Sequence, residues 1–213
     1  VSNKLYKINL PSLEEQPSMI TPRAMFGCCI NGEYIYAVGG ITSMSNGVTN
    51  KFERYHLPKR CWSALRACNE PNYGCELVAF NHMVIKVGGK TENNTSPNQL
   101  EMYNSVSDSW TVITIDPSMI RLPMVPGLAQ ISTTDILLFG GQLGDIKQNE
   151  CYKLSFSGES ISIRRCCELY SESTFSNSCV VHNRQLIAVQ NSSRGTTKNL
   201  VKFTGTTWKF ISC

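Results

Sequence analysis

The sequence has no Cys-x-x-Cys pair, no apolar run of about 18 residues, no dense Lys/Arg stretch and only three histidines. Each shortage excludes something. Ten cysteines are present, but Cys28-Cys29 and Cys166-Cys167 are adjacent pairs, too close for ordinary zinc ligation, so no metal is expected. Without a long apolar run there is no membrane span to predict, and no charged-then-apolar leader pattern is visible. Twenty basic against sixteen acidic side chains give +4, with no basic stripe, so nucleic acid is not an expected partner. His56, His82 and His182 are scattered between a strand and turns, and no Gly-x-Ser-x-Gly elbow, metal-type His pair or carboxylate pair accompanies them. No catalytic residue and no cofactor is expected. Gly88-Gly89-Lys90-Thr91 imitates a phosphate loop, but the required earlier glycine is replaced by Val84 within a strand.

What is present is a repeat. Three apolar strands end in a glycine pair: Tyr34 to Val38 before Gly39-Gly40, Met83 to Val87 before Gly88-Gly89, and Ile136 to Phe139 before Gly140-Gly141. The pairs are 49 and 52 residues apart, a period that marks a repeated structural unit. β-Branched and aromatic residues suit a pleat, while paired glycines permit positive φ and close backbone approach. A polar loop follows each pair, then an aromatic in a strand, at Tyr55, Tyr103 and Tyr152. Trp62 and Trp110 come seven residues after the first two tyrosines, across turns of suitable chemistry, Pro58-Lys59-Arg60 and Ser107-Asp108-Ser109. A fourth copy is worn: Gln190-Asn191 replace the glycines, Phe203 stands for the tyrosine, and Trp208 follows five residues later. The third copy has no tryptophan after Tyr152, so the later units are expected to pack less tightly.

The glycine pair, loop, Tyr and Trp, repeated as Gly39-Gly40/Tyr55/Trp62 and Gly88-Gly89/Tyr103/Trp110, resemble the Kelch repeat over nearly the whole chain. Pro22-Arg23 with Gly27 fits the family's first strand, and the second unit keeps Pro71 and Gly74. The resemblance implies an all-β, Kelch-type β-propeller of four-stranded antiparallel blades. The blades would be 21–70, 71–121, 122–171 and 172–213, the last two degenerate, with 1–20 supplying the third and fourth strands of a partial blade. Blades of this kind bury their flanks only against neighbours. Counting strands gives about four and a half blades and the expectation of a piece of a longer chain, incomplete here; a closed four-bladed ring with a spare strand is the competing arrangement. Cys28, Cys75 and Cys179 are expected as small buried hydrophobes in corresponding first strands, with reduced thiols in a cytoplasmic setting. Asn93-Asn94-Thr95-Ser96 and Asn191-Ser192-Ser193 match glycosylation acceptors, a pattern common by chance.

In such a meander the loops after the second strands (41–50, 90–98, 142–148, 190–198) and the connectors between blades share one face, and variable loops on a rigid frame are where binding usually lives. By resemblance, that face captures a partner protein or peptide, as a substrate receptor or cytoskeletal adaptor. Arg23, Arg66, Lys90, Arg121, Lys147 and Arg194 are the expected polar contacts, and arginine's affinity for carboxylates makes an acidic peptide the simplest partner. A Kelch-type oxidase, isomerase or lyase, with a site between loops, is the alternative.

Overall fold

A computed structural model describes residues 1–42, 47–158, 160–173, 179–182, 185–191 and 198–211. Every regular element among the described residues is a strand. β1 (Leu5–Asn9) and β2 (Ser12–Gln16) form a hairpin. Blade 1 is the antiparallel meander β3 (Gly27–Asn31), β4 (Tyr34–Val38), β5 (Phe52–His56) and β6 (Cys61–Leu65). Blade 2 repeats it with β7 (Glu76–Phe80), β8 (Met83–Val87), β9 (Gln99–Asn104) and β10 (Ser109–Thr114). Blade 3 contains β11 (Gly127–Gln130), β12 (Asp135–Phe139), β13 (Gln142–Leu143), β14 (Ile146–Ser157) and β15 (Ser160–Ser173). Blade 4 contains β16 (Cys179–His182), β17 (Gln185–Asn191), β18 (Lys198–Phe203) and β19 (Trp208–Phe210). The first strands are neighbours in the order β3, β7, β11, β16, so the meanders fan outward from a common centre. Among the described residues no helix is long and apolar enough to cross a membrane.

Cores lie between blades rather than within them. Tyr36 and Phe52 of blade 1 meet Tyr103 and Trp110 of blade 2, with ring centroids 4.8 Å apart for Phe52 and Tyr103. Val87, Leu100 and Met102 of blade 2 meet Ile136, Leu138 and Leu154 of blade 3. Phe139 and Cys151 of blade 3 receive Trp208, its ring 4.8 Å from Phe139. This is the stacking that a blade's thin sheet requires, because a single four-stranded layer cannot bury both of its faces. Near the centre the backbone itself is threaded across blades: Gly74 N–H donates to the Met25 carbonyl (2.8 Å) and Val125 N–H to the Gly74 carbonyl (2.7 Å).

The aromatic pair of the repeat is a directly opposed cross-strand pair, Tyr55 with Trp62 and Tyr103 with Trp110. Phe203 faces Trp208 in the same way, so the shorter spacing in blade 4 reflects a tighter turn, and Trp208 is buried. In blade 3 the sequence assignment shifts. Leu138 pairs with Tyr152, whereas its counterparts Ala37 and Lys86 pair with Glu53 and Glu101. Tyr152 therefore occupies the glutamate's place, and Leu154, fully buried and opposite Ile163, occupies the tyrosine's. Loop shortening explains it: Tyr55, Tyr103 and Leu154 follow the second glycine of each pair by 15, 14 and 13 residues. Gly27 corresponds to Gly127, both opposite the residue before the glycine pair, and not to Gly74.

Among the cysteines, Cys28 and Cys179 do share a register, opposite Ala37 and Ala188, while Cys75 lies just ahead of β7. Burial pushes the Cys28 and Cys179 thiols up to about 11, with the Glu76 carboxylate adding to the effect on both. They behave as hydrophobes with weak donors; Cys179 Sγ donates to the Leu128 carbonyl at 3.0 Å.

Candidate binding cleft between the second and third blades

The connectors leaving the hairpin and blade 1 are each latched by the next blade, and the latch begins with an asparagine that recurs in blade 2. Asn3, Asn50 and Asn98 each accept, through the main-chain carbonyl, the N–H of a connector residue: Met19 (2.7 Å), Cys68 (3.0 Å) and Ile115 (2.8 Å). Each asparagine amide donates back to that residue's carbonyl, at 3.3, 3.0 and 2.9 Å. The following two N–H groups then need acceptors, because the chain is turning out of the sheet. Blade 1 supplies Glu53, which receives Ile20 N–H (2.7 Å) and Thr21 N–H (3.2 Å). Blade 2 supplies Glu101, which receives Asn69 N–H (2.6 Å) and Glu70 N–H (3.3 Å).

Both carboxylates are buried and each needs a cation. Arg23, 2% exposed, pairs with Glu53 and also donates to the Gly39 and Lys51 carbonyls. Lys86, 2% exposed, pairs with Glu101 at 2.5 Å and donates to the Glu70 carbonyl at 2.7 Å. The cation thus comes from the connector in one junction and from the second strand in the other. The tryptophans close the outer edge: Trp62 Nε1 donates to the Pro17 carbonyl and Trp110 Nε1 to the Arg66 carbonyl, both at 2.8 Å.

The junction between blades 2 and 3 has lost every part of this latch except the asparagine. Tyr152 stands in the carboxylate's place, as its pairing with Leu138 shows, and both cation positions are apolar, Pro123 and Leu138. The residue equivalent to Thr21 and Glu70 is Pro117, which has no N–H to offer. The connector is also longer, with nine residue steps from Ile115 to Met124 against five from Met19 to Ala24 and from Cys68 to Tyr73. The four extra residues bulge as a turn, with Met119 N–H on the Asp116 carbonyl (2.9 Å) and Ser118 N–H on Asp116 Oδ1 (2.8 Å). Those Ser118 bonds hold the Asp116 carboxyl below the usual range. Asn98 anchors the bulge, its amide donating to the Ile120 carbonyl (2.8 Å) and its Oδ1 accepting Leu122 N–H (2.7 Å).

A cleft of about 780 Å³ opens between the bulge, the 90–98 loop and the β13–β14 hairpin, lined among others by Lys90, Asn98, Arg121, Leu143, Ile146 and Gln148. Behind it, sharing the Pro117, Arg121, Leu143 and Gln148 walls, lies a slot of about 250 Å³. Met119, Ile120, Pro123, Leu138 and Tyr152 line the slot, and Glu150 stands at its edge. Glu150 accepts the Tyr152 hydroxyl (2.7 Å) and meets Arg165 (3.3 Å), which is shared with Glu168. Burial, with Glu150 beside it, pushes the Tyr152 phenol up to about 12.

Two of the six expected contact residues, Lys90 and Arg121, line this cleft, and Lys147 lies between Ile146 and Gln148 of its wall. Among the described residues none of the three is in an ion pair. Arg23 is not a surface contact; it is the buried partner of Glu53, and its guanidinium is used up inside the junction. Arg66 is exposed at the far rim, where its peptide group serves Trp110 and Asp108. Arg194 lies outside the described residues, as do parts of the 41–50 and 190–198 loops. Among the described residues no group of three or more His, Cys, Asp and Glu side chains could hold a metal. The latch itself went unnoticed in the sequence, although Glu-x-Tyr at 53–55 and 101–103 and the asparagine five residues before each tyrosine were its visible signs.

Asn98 carries more of its connector than its counterparts do. Asn98→Ala is expected to cost about 2–3 kcal/mol, since three side-chain bonds are lost and buried connector groups are left unpaired. Asn50→Ala removes one such bond and should cost about 1 kcal/mol. Urea unfolding of both variants measures the difference; equal losses would mean that the bulge is not held by Asn98.

Four-stranded meanders fanned about a common centre, with their cores at the junctions, define a β-propeller. The Kelch motif matches residues 22–69. Kelch repeat and BTB domain-containing protein 1 of Cowpox virus (strain GRI-90 / Grishak) is 27% identical over 94 residues, 44% of this chain and 16% of that protein. Kelch-like protein 36 of Rattus norvegicus is 26% identical over 102 residues, again 16% of that protein, so the chain spans a small part of the length of these relatives. The solved structure of YjhT matches 98% of this chain and 77% of its own with a TM-score of 0.76 at 14% identity, a likeness of fold alone. The chain is a β-propeller, with four blades and an additional hairpin in the described residues, and its residues 22–69 match the Kelch motif.

Proposed function

We propose that the protein is a non-enzymatic interaction scaffold of the cytoplasm whose loop face, centred on the blade 2–blade 3 cleft, binds an acidic segment of a partner protein. One observation carries the reading: at this junction alone among the three whose connectors are fully described, the internal latch is replaced by an open cleft lined by two cations, Lys90 and Arg121, neither of them in an ion pair, and one carboxylate, Asp145. Lys90 and Arg121 are therefore available to a partner, and a carboxylate-bearing segment is the ligand that complements them. The relatives' shared Kelch repeats support a binding role, and service as a substrate receptor or cytoskeletal adaptor belongs to this proposal.

Charge reversal tests it. Lys90→Glu, Arg121→Glu and Lys147→Glu together should reduce recovery of bound partners at least about tenfold, because rim charges steer encounter and like charges across an interface cost several kcal/mol. The same change at Arg66 should have little effect. Unchanged recovery with the triple variant would remove this face from the proposal.

A further inference from the structure

The slot behind the cleft has a counterpart at each earlier junction, and the comparison says what should enter it. Around Glu53 and Glu101 the equivalent space is filled from within, by a buried cation, a buried carboxylate and two connector N–H groups. At the third junction all three side-chain positions have turned apolar or aromatic together, as Pro123, Leu138 and Tyr152, and the connector has moved out as a bulge. A charge pair replaced by apolar groups normally closes up, since well-packed hydrophobic residues substitute for a buried pair without loss. Here a lined space remains instead. Its lining combines the apolar side chains Met119, Ile120, Pro123, Leu138 and Leu143 with polar ones, and Arg121 is shared with the larger cleft.

We infer that this slot is an anchor pocket for one apolar side chain of the partner segment, entering beside the acidic residues that Lys90 and Arg121 hold. The inference rests on the proposed loop-face function and adds the pattern of its ligand: an unbranched or branched aliphatic or aromatic residue next to carboxylates. Desolvating such a side chain supplies the affinity, and the cations supply orientation, the usual division between a buried anchor and a polar rim.

The test uses the whole chain and an immobilised library of short peptides, each with two acidic residues flanking one varied position. Wild type should favour Leu, Met, Ile or Phe over Ala at that position by about tenfold to a hundredfold, the range for burying one such side chain. Met119→Asn, exposed and lining the slot but not the cleft, should abolish that preference while leaving the preference for acidic flanks. The double variant Pro123→Arg with Tyr152→Glu, which rebuilds the Arg23–Glu53 pair in the slot, should do the same, with thermal melting confirming that both variants fold. Peptides retained through their acidic flanks with no preference at the varied position would overturn the anchor and spare the face. An apolar preference that survives both variants would also overturn it, and failure to retain any acidic peptide would overturn the anchor together with the functional reading beneath it.

Discussion

Glu53→Ala is expected to lower the unfolding free energy by about 3–5 kcal/mol, the cost of stranding one member of a buried ion pair. The change leaves the Arg23 guanidinium, 2% exposed, without its counter-charge, and leaves Ile20 and Thr21 N–H without acceptors. Desolvation already works against the charged form of Arg23, and Glu53 is the leading group that offsets it. The two contributions can be separated. Arg23→Met with Glu53→Leu removes both charges and should recover part of the loss, since an apolar pair of similar size tolerates burial. It cannot recover the connector N–H bonds or the Arg23 bonds to the Gly39 and Lys51 carbonyls, so the double variant should remain about 1–3 kcal/mol below wild type. Urea midpoints at constant slope are the measurement. Full recovery would mean that the connector bonds contribute nothing, and a single-variant loss below about 1 kcal/mol would contradict the burial of the pair.

Gly88→Ala should be comparably damaging for a different reason. A Cβ at Gly88 would lie 1.9 Å from the Pro123 carbonyl oxygen, and its φ of +70° is left-handed. The left-handed term costs about 1–2 kcal/mol and the overlap about 1–3 more, because the obstructing atom is backbone of the next blade. Gly32→Ala isolates the first term: its φ is +56° and a Cβ there meets nothing within 4 Å. The difference between the two variants measures how closely blades 2 and 3 approach at the centre. Equal losses would mean that the blades simply move apart.

The repeat was legible because its signals are local. Strand, glycine pair, tyrosine and tryptophan lie within one meander, and their order in the chain is their order in the sheet. Tyr152 was misassigned because chemistry suggested a tyrosine where only the loop length, shorter by one residue per blade, marked the register. The buried pairs were hidden for a related reason: Arg23 meets Glu53 and Lys86 meets Glu101 across different elements, so no single spacing relates them. A charged residue on a connector looks solvated until the carboxylate opposite is known. The cleft was the least legible feature, since it follows from losses at Pro117, Pro123 and Tyr152 that become visible only when three junctions are superimposed.

The latches also run in one direction. The carboxylate and asparagine that hold a connector belong to different blades: Asn50 secures the exit of blade 1 from its own side, while Glu101 secures it from the side of blade 2. A chain being synthesised from its first residue therefore cannot finish fastening blade 1 until translation has passed Glu101, whereas the connector of blade 2 is held by Asn98 of its own blade and needs no such wait.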